Sequence, residues 1–374
     1  MKPGHPLMAK VKLKSDHHLT NKTLGAVVIG TGGQGLRRAQ AVRMATGWRL
    51  AGIFDSDINH CQPAAGKCNC NSFETIEEAL SCNQAQVAII ATPPATHDTL
   101  IFKALERGLH VLCEKPLTIH PAMAEPYLNL AQSRNLQIAT GFNHRFFSPV
   151  IDLQNHVKAQ TIGKLLEIRG QIGEQPPEAI LDGWHGNPLI SGGGVLTDNG
   201  SHLLDLARLF MKGETGVDLI SLEMMLGRPG IEDHCEIQLT DNDGLKAYLT
   251  TSWRRHGDPY LKMEVRGETG VIHISAFPWK LKLEKPGQKR EIKNYLFDRL
   301  AMKVIGRWAE GLETSLIREL QSFRQCILNP DENIKAHATG RNGHEVANFI
   351  DEARKQASQV HQTSSGHCNN RQIA

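Results

Sequence analysis

Three residues from distant parts of the chain have side chains suited to moving a proton and stabilising charge on oxygen, as the interconversion of an alcohol and a carbonyl group requires. Lys115 supplies an ammonium group, His202 an imidazole, and Asp198 a carboxylate. An ammonium group can hold a reacting oxygen and stabilise negative charge on it. An imidazole can exchange a proton near neutral pH. We predict that all three are catalytic, with His202 as general acid/base, and the exchanged assignment of Lys115 and His202 stays open.

A glycine-rich segment near the amino terminus has the pattern of a turn that binds a dinucleotide. It reads GTGGQG, follows the apolar run GAVVI and precedes a helical stretch, so backbone amides would face a pyrophosphate. Asp55 follows about 20 residues later, where a carboxylate accepts hydrogen bonds from ribose hydroxyls and repels a 2′-phosphate. The pattern predicts NAD, with NADP as the alternative, bound by Gly30, Gly32, Gly33, Gln34, Gly35 and Asp55.

Further candidates lie in loops that follow predicted strands, where ligands of doubly wound sheets bind. From these loops we predict four more cofactor-binding residues beside Lys115: Thr92, Pro93, His97 and Glu114. We predict that the substrate contacts Lys115, Asp198, His202 and four others: Asn143, Arg145, Trp184 and His185. Arg254 and Arg255 are weaker candidates of the same kind.

The elements that must position these residues fall into two groups. Over residues 24–143, short apolar runs alternate five times with helical stretches, which predicts a doubly wound parallel sheet, a Rossmann domain. Over residues 144–360, longer runs of alternating polarity separated by turns predict an α+β domain with a large, open, mainly antiparallel sheet. We expect residues 1–23 to form a flexible leader and residues 361–374 a disordered tail.

These motifs together resemble the Gfo/Idh/MocA family, the glucose–fructose oxidoreductase and inositol dehydrogenase family. The matching segments are GTGGQG, TPPATH, EKP and GGGVLTDNGSHLLD, in the order that the family has them. The resemblance implies an NAD(P)-dependent enzyme acting on a sugar, polyol or nucleotide sugar. It also implies that Lys115, Asp198 and His202 face nicotinamide and substrate, and that the carboxy-terminal sheet forms a homodimer or homotetramer. The Trp184-His185 pair departs from the family's common Trp-Arg, which affects substrate choice. The alternative is an inactive NAD(P)-sensing regulator on the same fold.

Composition and the remaining motifs argue against other classes of protein. A net charge of +3 gives no reason to expect nucleic-acid binding, and no run is apolar enough to cross a membrane. Without a secretion signal, we expect a cytoplasmic protein with reduced thiols. The clustered cysteines Cys61, Cys68, Cys70 and Cys82 lack a C-x-x-C pair, so we expect no metal there. We also expect none at His185, Asp198, His202 and Asp205, where Lys115 already supplies positive charge.

Overall fold

The computed structural model describes residues 22–254, 260–276, 279–295, 314–330 and 337–368, with side chains to residue 359. Residues 1–21 of the expected leader, and Arg255, lie outside this range. Two sheets organise the chain, one parallel and one mostly antiparallel. The predicted fold class is therefore confirmed.

The first sheet has five parallel strands in the order β2-β1-β3-β4-β5. The strands are β1 (Leu24–Ile29), β2 (Trp48–Phe54), β3 (Val87–Ile90), β4 (His110–Cys113) and β5 (Ile138–Thr140). The chain runs from β1 outward to β2 and then back past β1 to β3. The strand order therefore reverses between β1 and β3, which is the switch point where ligands of such sheets bind.

Helices cover both faces of this sheet. In chain order they are α1 (Gly33–Met44), α2 (Ile58–Cys68), α3 (Ile76–Leu80), α4 (His97–Glu106) and α5 (Ala124–Ser133). One apolar cluster includes residues of α1 and α2, and another includes residues of α4 and α5. Thr75 caps the start of α3, because the Glu78 backbone N–H donates to Thr75 Oγ1 at 3.2 Å.

The second sheet has eight strands in the order β13-β12-β11-β10-β6-β9-β8-β7, antiparallel except where β6 pairs with β9. The strands are β6 (Leu165–Gly173), β7 (Thr215–Met224), β8 (Glu232–Asp241), β9 (Lys246–Ser252), β10 (Tyr260–Gly267), β11 (Gly270–Ala276), β12 (Lys280–Glu284) and β13 (Glu291–Asn294). Buried and exposed residues alternate along β8 and β10. One face of the sheet therefore packs on the core and the other is polar.

The remaining helices are α6 (Ser148–Lys158), α7 (Glu178–Leu181), α8 (Pro188–Ser191), α9 (Ser201–Arg208), α10 (Thr314–Leu328) and α11 (Gly340–Cys368). Two of them differ from expectation. We expected α10 to close the second domain, but Leu316, Leu320 and Phe323 pack into the α1–α2 cluster of the first sheet. The predicted tail also begins too early, because the backbone of α11 stays helical to Cys368.

No helix in the described ranges combines the length and the apolar character needed to cross a membrane.

Candidate active site

The glycine-rich turn leaves the start of α1 free to receive an anion. Gly32 is the N-cap residue, no side chain caps the helix, and its first turn contains no acidic residue. A Cβ atom added at Gly32 or Gly33 would meet nothing within 4 Å, whereas one at Gly35 would lie 1.9 Å from the Gly30 carbonyl oxygen. The helix therefore presents unpaired N–H groups and its positive dipole end beside open space, as a pyrophosphate requires.

Asp55 directly follows β2 and is tied to this turn. Its Oδ2 accepts hydrogen bonds from the Thr31 backbone N–H at 2.6 Å and from the Thr31 hydroxyl at 2.9 Å. Its Oδ1 accepts from the Asp57 backbone N–H at 3.0 Å. The carboxylate is thus held at the edge of the sheet beside the switch point, with lone pairs left for further donors.

The loops after β3 and β4 are joined through His97. The His97 ring is buried, with Nδ1 2.9 Å from the Pro116 carbonyl oxygen and Nε2 2.9 Å from the Thr92 carbonyl oxygen. Both ring nitrogens of His97 therefore face backbone oxygens of the protein itself. This differs from the prediction that His97 contacts the cofactor. Thr92 and Pro93 remain half-buried beside the switch point.

Glu114 also has internal partners, which we had not predicted. It accepts hydrogen bonds from Gln34 Nε2 at 2.9 Å and from Arg38 Nε at 2.7 Å. Arg38 is fully buried and also pairs with Glu319 of α10. Burial alone would raise the pKa of Glu114, but Arg38 and Gln34 hold it below its ordinary value. Glu114 therefore links the glycine turn to the loop that carries Lys115.

Lys115 and Asp198 meet although 83 residues separate them. Lys115 Nζ forms an ion pair with Asp198 Oδ1 and donates to the Asp198 backbone oxygen at 3.2 Å. The lysine side chain is 19% exposed and that of the aspartate 44%. Because an ammonium group has three donors, Lys115 keeps one for a ligand.

His202 lies at the start of α9, directly after a π-helical turn, Leu196–Gly200, that carries Asp198. Its ring stacks on that of His144, with centroids 3.8 Å apart and planes 13° apart. Asp198 pairs with Lys115 and not with His202. His144, in the short 3₁₀ helix Asn143–Phe146, is a site residue that we had missed.

The two stacked histidines are kept neutral. Burial, reinforced by nearby Lys115, lowers the pKa of His144 to about 3. Burial lowers the pKa of His202 well below its ordinary value, and nearby His144, Lys115 and Arg38 act in the same direction. Neutral imidazole can accept a proton, so His202 is in the form that a general base needs.

The chain bends at Gly193 and Gly194, shortly before the π-helical turn, and neighbouring atoms lie close to both glycines. Gly193 has φ 126°, and a Cβ atom there would lie 1.9 Å from Nη2 of Arg354 on α11. At Gly194 it would lie 2.0 Å from the Glu232 backbone oxygen. Arg354 Nη2 donates to Thr197 Oγ1 at 2.6 Å and to Glu232 Oε1 at 2.8 Å. Arg354, also missed from the sequence, fixes the turn that presents Asp198.

Trp184 and His185 form the rim of the site, the region beside the Lys115–Asp198 pair. Their rings stack with centroids 3.5 Å apart, and Trp184 is 37% exposed. Burial and nearby Lys115 lower the pKa of His185, while Asp198 acts in the opposite direction. Burial and Asp198 raise the pKa of Glu174, an acidic group at this rim that the sequence had not indicated. The structure thus brings both predicted residues near the Lys115–Asp198 pair.

Arg145 and Asn143 are placed differently from our prediction. Arg145 is buried, and its Nε and Nη2 donate to the two carboxylate oxygens of Asp205 at 2.7 and 2.5 Å. Asn143 is also buried and donates to Ser315 Oγ at 3.1 Å. The fork-shaped guanidinium matches a carboxylate, and here the protein supplies that carboxylate. The predicted substrate contact of Arg145 is therefore corrected to a structural ion pair.

We expect Arg145→Met to lower the free energy of unfolding by about 3–5 kcal/mol, because Asp205 would keep a buried charge without its partner. Urea-induced unfolding measures this change. The double variant Arg145→Met/Asp205→Leu is the control and should recover much of the loss. If Arg145→Met unfolds at the wild-type urea concentration, the ion pair does not have the assigned structural role.

Three of the four clustered cysteines stay together in the fold, and the fourth lies apart from them. Cys61, Cys68 and Cys70 contact the apolar cluster of α1 and α2, whereas Cys82 packs on the opposite face of the sheet. All four are free thiols. Within the described residues, no three His, Cys, Asp or Glu side chains are grouped to hold a metal ion.

Comparison with known proteins agrees with this geometry. Residues 24–142 match the family described as "Oxidoreductase family, NAD-binding Rossmann fold", and residues 150–273 match the GFO/IDH/MocA C-terminal domain. Inositol 2-dehydrogenase 1 of Paenarthrobacter aurescens is 29% identical over 270 residues, which cover 68% of this chain and 74% of that protein. Inositol 2-dehydrogenase of Pseudarthrobacter chlorophenolicus is 28% identical, covering 55% of this chain and 58% of that protein.

Solved structures share the fold. Levoglucosan dehydrogenase in complex with NADH superposes with a TM-score of 0.77 at 20% identity, covering 90% of this chain and 98% of that one. UDP-N-acetylglucosamine 3-dehydrogenase of Acidithiobacillus ferrooxidans gives a TM-score of 0.70 at 20% identity, covering 89% and 97%. Both domain matches and the predicted motifs lead to one conclusion: this chain belongs to the Gfo/Idh/MocA family of NAD-binding oxidoreductases.

Proposed function

We propose that this chain is an NAD-dependent dehydrogenase that interconverts a secondary alcohol and a ketone on a sugar or polyol. The observation that carries the proposal is the Lys115–Asp198 ion pair near the neutral, buried His202. Lys115 follows a strand of the dinucleotide-binding sheet, and His202 begins a helix of the second domain. The relatives that are inositol 2-dehydrogenases support the choice of a polyhydroxylated substrate.

The residues around the switch point fit the dinucleotide. The uncapped start of α1 would hold the pyrophosphate, and Asp55 would accept hydrogen bonds from the adenosine ribose. Thr92 and Pro93, after β3, would line the passage toward Lys115. When bound, NAD⁺ supplies a hydride acceptor at C4 of its nicotinamide ring.

The protein's own part of the reaction is to hold the alcohol and move its proton. Lys115 Nζ would donate a hydrogen bond to the reacting oxygen and stabilise its developing negative charge. His202 would accept the hydroxyl proton at Nε2, because its Nδ1 is buried and out of reach of a ligand. Asp198 would keep Lys115 in place and accept a hydrogen bond from a neighbouring substrate hydroxyl. In the reductive direction the same groups act in reverse.

The rim of the cleft suits a carbohydrate. Trp184 exposes part of its ring, and the apolar face of a sugar packs well on such a surface. Glu174 and His185 add polar groups that can bind hydroxyls. Arg145 gives no support for an acidic sugar, since Asp205 forms an ion pair with its guanidinium.

A spectrophotometric screen tests this function. Purified protein with NAD⁺ would be offered inositols, hexoses, anhydrosugars, sugar acids and nucleotide sugars, and formation of reduced nicotinamide would be followed by absorbance. We expect at least one polyol or sugar to be oxidised with saturation kinetics. NADH binding without turnover on every substrate class, in either direction, would favour the cofactor-sensing alternative.

Coenzyme choice gives a separate prediction. Asp55→Ala should weaken NADH binding about 10- to 100-fold, because hydrogen bonds to a charged acceptor contribute about 1.5–3 kcal/mol, and should improve relative binding of NADPH. Dissociation constants measured from protein fluorescence test both statements. Asp57→Ala is the matched control, since Asp57 caps α2 and is exposed. An Asp55 variant with the wild-type preference for NADH would show that another group reads the ribose.

We also propose that two copies associate through the polar face of the eight-stranded sheet. This face carries charges of both signs in neighbouring positions, such as Glu264, Arg266 and Lys282, which suits a polar self-complementary contact. The free thiols among the described cysteines support a cytoplasmic location.

A further inference from the structure

His202 lacks the partner that ordinarily orients a catalytic histidine. In such a residue, the nitrogen that does not meet the substrate usually bonds a carboxylate or a carbonyl oxygen, which fixes both ring and tautomer. In the described part of the chain, His202 Nδ1 is buried and has no hydrogen-bond partner. Something other than a hydrogen bond must therefore hold this ring.

The carboxylates closest to His202 along the sequence are already engaged elsewhere. Asp198 pairs with Lys115, and Asp205, within the same helix as His202, pairs with Arg145. Arg38, whose charge also lowers the pKa of His202, forms ion pairs with Glu114 and Glu319. None of these groups bonds the imidazole of His202.

His202 instead belongs to a column of aromatic rings that contact one another in turn. His144 stacks on it face to face at 3.8 Å, and the edge of Phe142 approaches it with centroids 5.9 Å apart and planes 69° apart. His144 in turn stacks on Phe147 at 4.4 Å, and Phe147 meets Trp279 edge to face at 4.6 Å. Phe142 and Phe147 are buried, so the column is anchored in the core.

We propose that His144 is a positioning residue that fixes the His202 ring by stacking. Tilting the His202 ring out of its parallel arrangement with His144 would break the face-to-face contact between the two rings. Parallel planes leave Nε2 of His202 at the accessible edge, where it can exchange a proton with a substrate hydroxyl. His144 stays neutral and so offers its face to the imidazolium that forms when His202 accepts a proton.

Two variants of His144 distinguish the effect of its flat ring from the effect of its ring nitrogens. His144→Phe keeps a flat ring with a negative face, whereas His144→Leu keeps bulk without a ring. We expect His144→Leu to lower kcat by roughly a hundredfold, as misplacement of a catalytic group does. The Michaelis constant and NADH affinity should change little. His144→Phe should keep kcat within about threefold of wild type, because the stack survives.

This inference rests on the proposed role of His202, so one measurement is independent of turnover. Nitrogen NMR of ¹⁵N-histidine-labelled protein, with His202→Asn for assignment, reports whether the His202 ring holds one tautomer. Wild type and His144→Phe should show one ordered tautomer, and His144→Leu should show averaging. Thermal unfolding and near-UV circular dichroism check that both variants fold.

Equal loss of kcat in His144→Phe and His144→Leu would overturn the proposal, because the nitrogens of His144 and not its ring would then be needed. An ordered His202 tautomer in His144→Leu would also overturn it. Absence of turnover in wild type, with the tautomer pattern as expected, would instead contradict the dehydrogenase function and leave the positioning role supported.

Discussion

Lys115→Met is expected to lower kcat by about 100- to 1000-fold, the usual cost of removing one preorganised donor to a developing oxyanion. Methionine keeps the unbranched side chain as far as Cε but has no N–H group, so the substrate oxygen would lose its donor. Affinity for NADH should stay within about twofold of wild type, since the lysine supports the transition state more than the dinucleotide. Steady-state kinetics and fluorescence titration with NADH provide the two measurements.

The control for this variant is Lys103→Met. Lys103 is a partly exposed lysine that pairs with Glu77 on the surface, away from the cleft. Its replacement should leave both kcat and NADH affinity unchanged. Asp198 is 44% exposed, so water can solvate its carboxylate once Lys115 is gone, and the fold should persist. Wild-type turnover by Lys115→Met would remove the lysine from the proposed mechanism.

His202→Ala is expected to lower kcat by about 100- to 10,000-fold, the range for loss of a general acid/base. The pH dependence carries more information than the size of the loss. Because burial lowers the pKa of His202 well below its ordinary value, the residue is neutral at pH 7 and stays competent as a base into mild acid. In wild type, kcat/KM for alcohol oxidation should fall only below about pH 6.5, the ordinary histidine value.

The variant should lose this acidic limb together with most of its activity. Added imidazole should restore part of the rate, since removal of the ring opens a cavity between His144 and Phe142. A kcat/KM profile with the same acidic limb in His202→Ala would assign that limb to another group. Unchanged kcat at pH 7 would contradict the base assignment itself.

Sequence alone predicted the parts of the site that follow from periodicity and from strand ends. The alternation around GAVVI and VAIIA indicates buried parallel strands, and parallel strands bring the residues after them to one edge. Gly32, Asp55, Thr92 and Lys115 come together for that reason. The meeting of Lys115 with Asp198 came from the family resemblance, because no local pattern relates residues so far apart.

The errors arose where a side chain has a partner that only tertiary structure reveals. Arg145 resembled a substrate ligand because it follows β5, but its guanidinium forms an ion pair with Asp205. His97 resembled a cofactor contact, yet each of its ring nitrogens lies 2.9 Å from a backbone carbonyl oxygen. A sequence shows that a group can donate a hydrogen bond but not which acceptor is nearest.

Two further differences have the same origin. The apolar stripe of α10, with Leu316, Leu320 and Phe323, suits any apolar surface, so its periodicity could not show that it covers α1. His144 was missed although it lies in the NHRF segment after β5, a strand end of the kind that gave Lys115. Its importance comes from a ring contact with His202, a residue far from it along the chain.

The most direct test of the central claim is a crystal structure of this chain with bound NADH. We expect the pyrophosphate at the start of α1, the adenosine ribose at Asp55, and C4 of nicotinamide facing a space bordered by Lys115 Nζ and His202 Nε2. A substrate carbon placed there would lie about 3–3.5 Å from C4, as hydride transfer requires. A nicotinamide ring bound away from Lys115 and His202, with neither side chain bordering the space before C4, would contradict it.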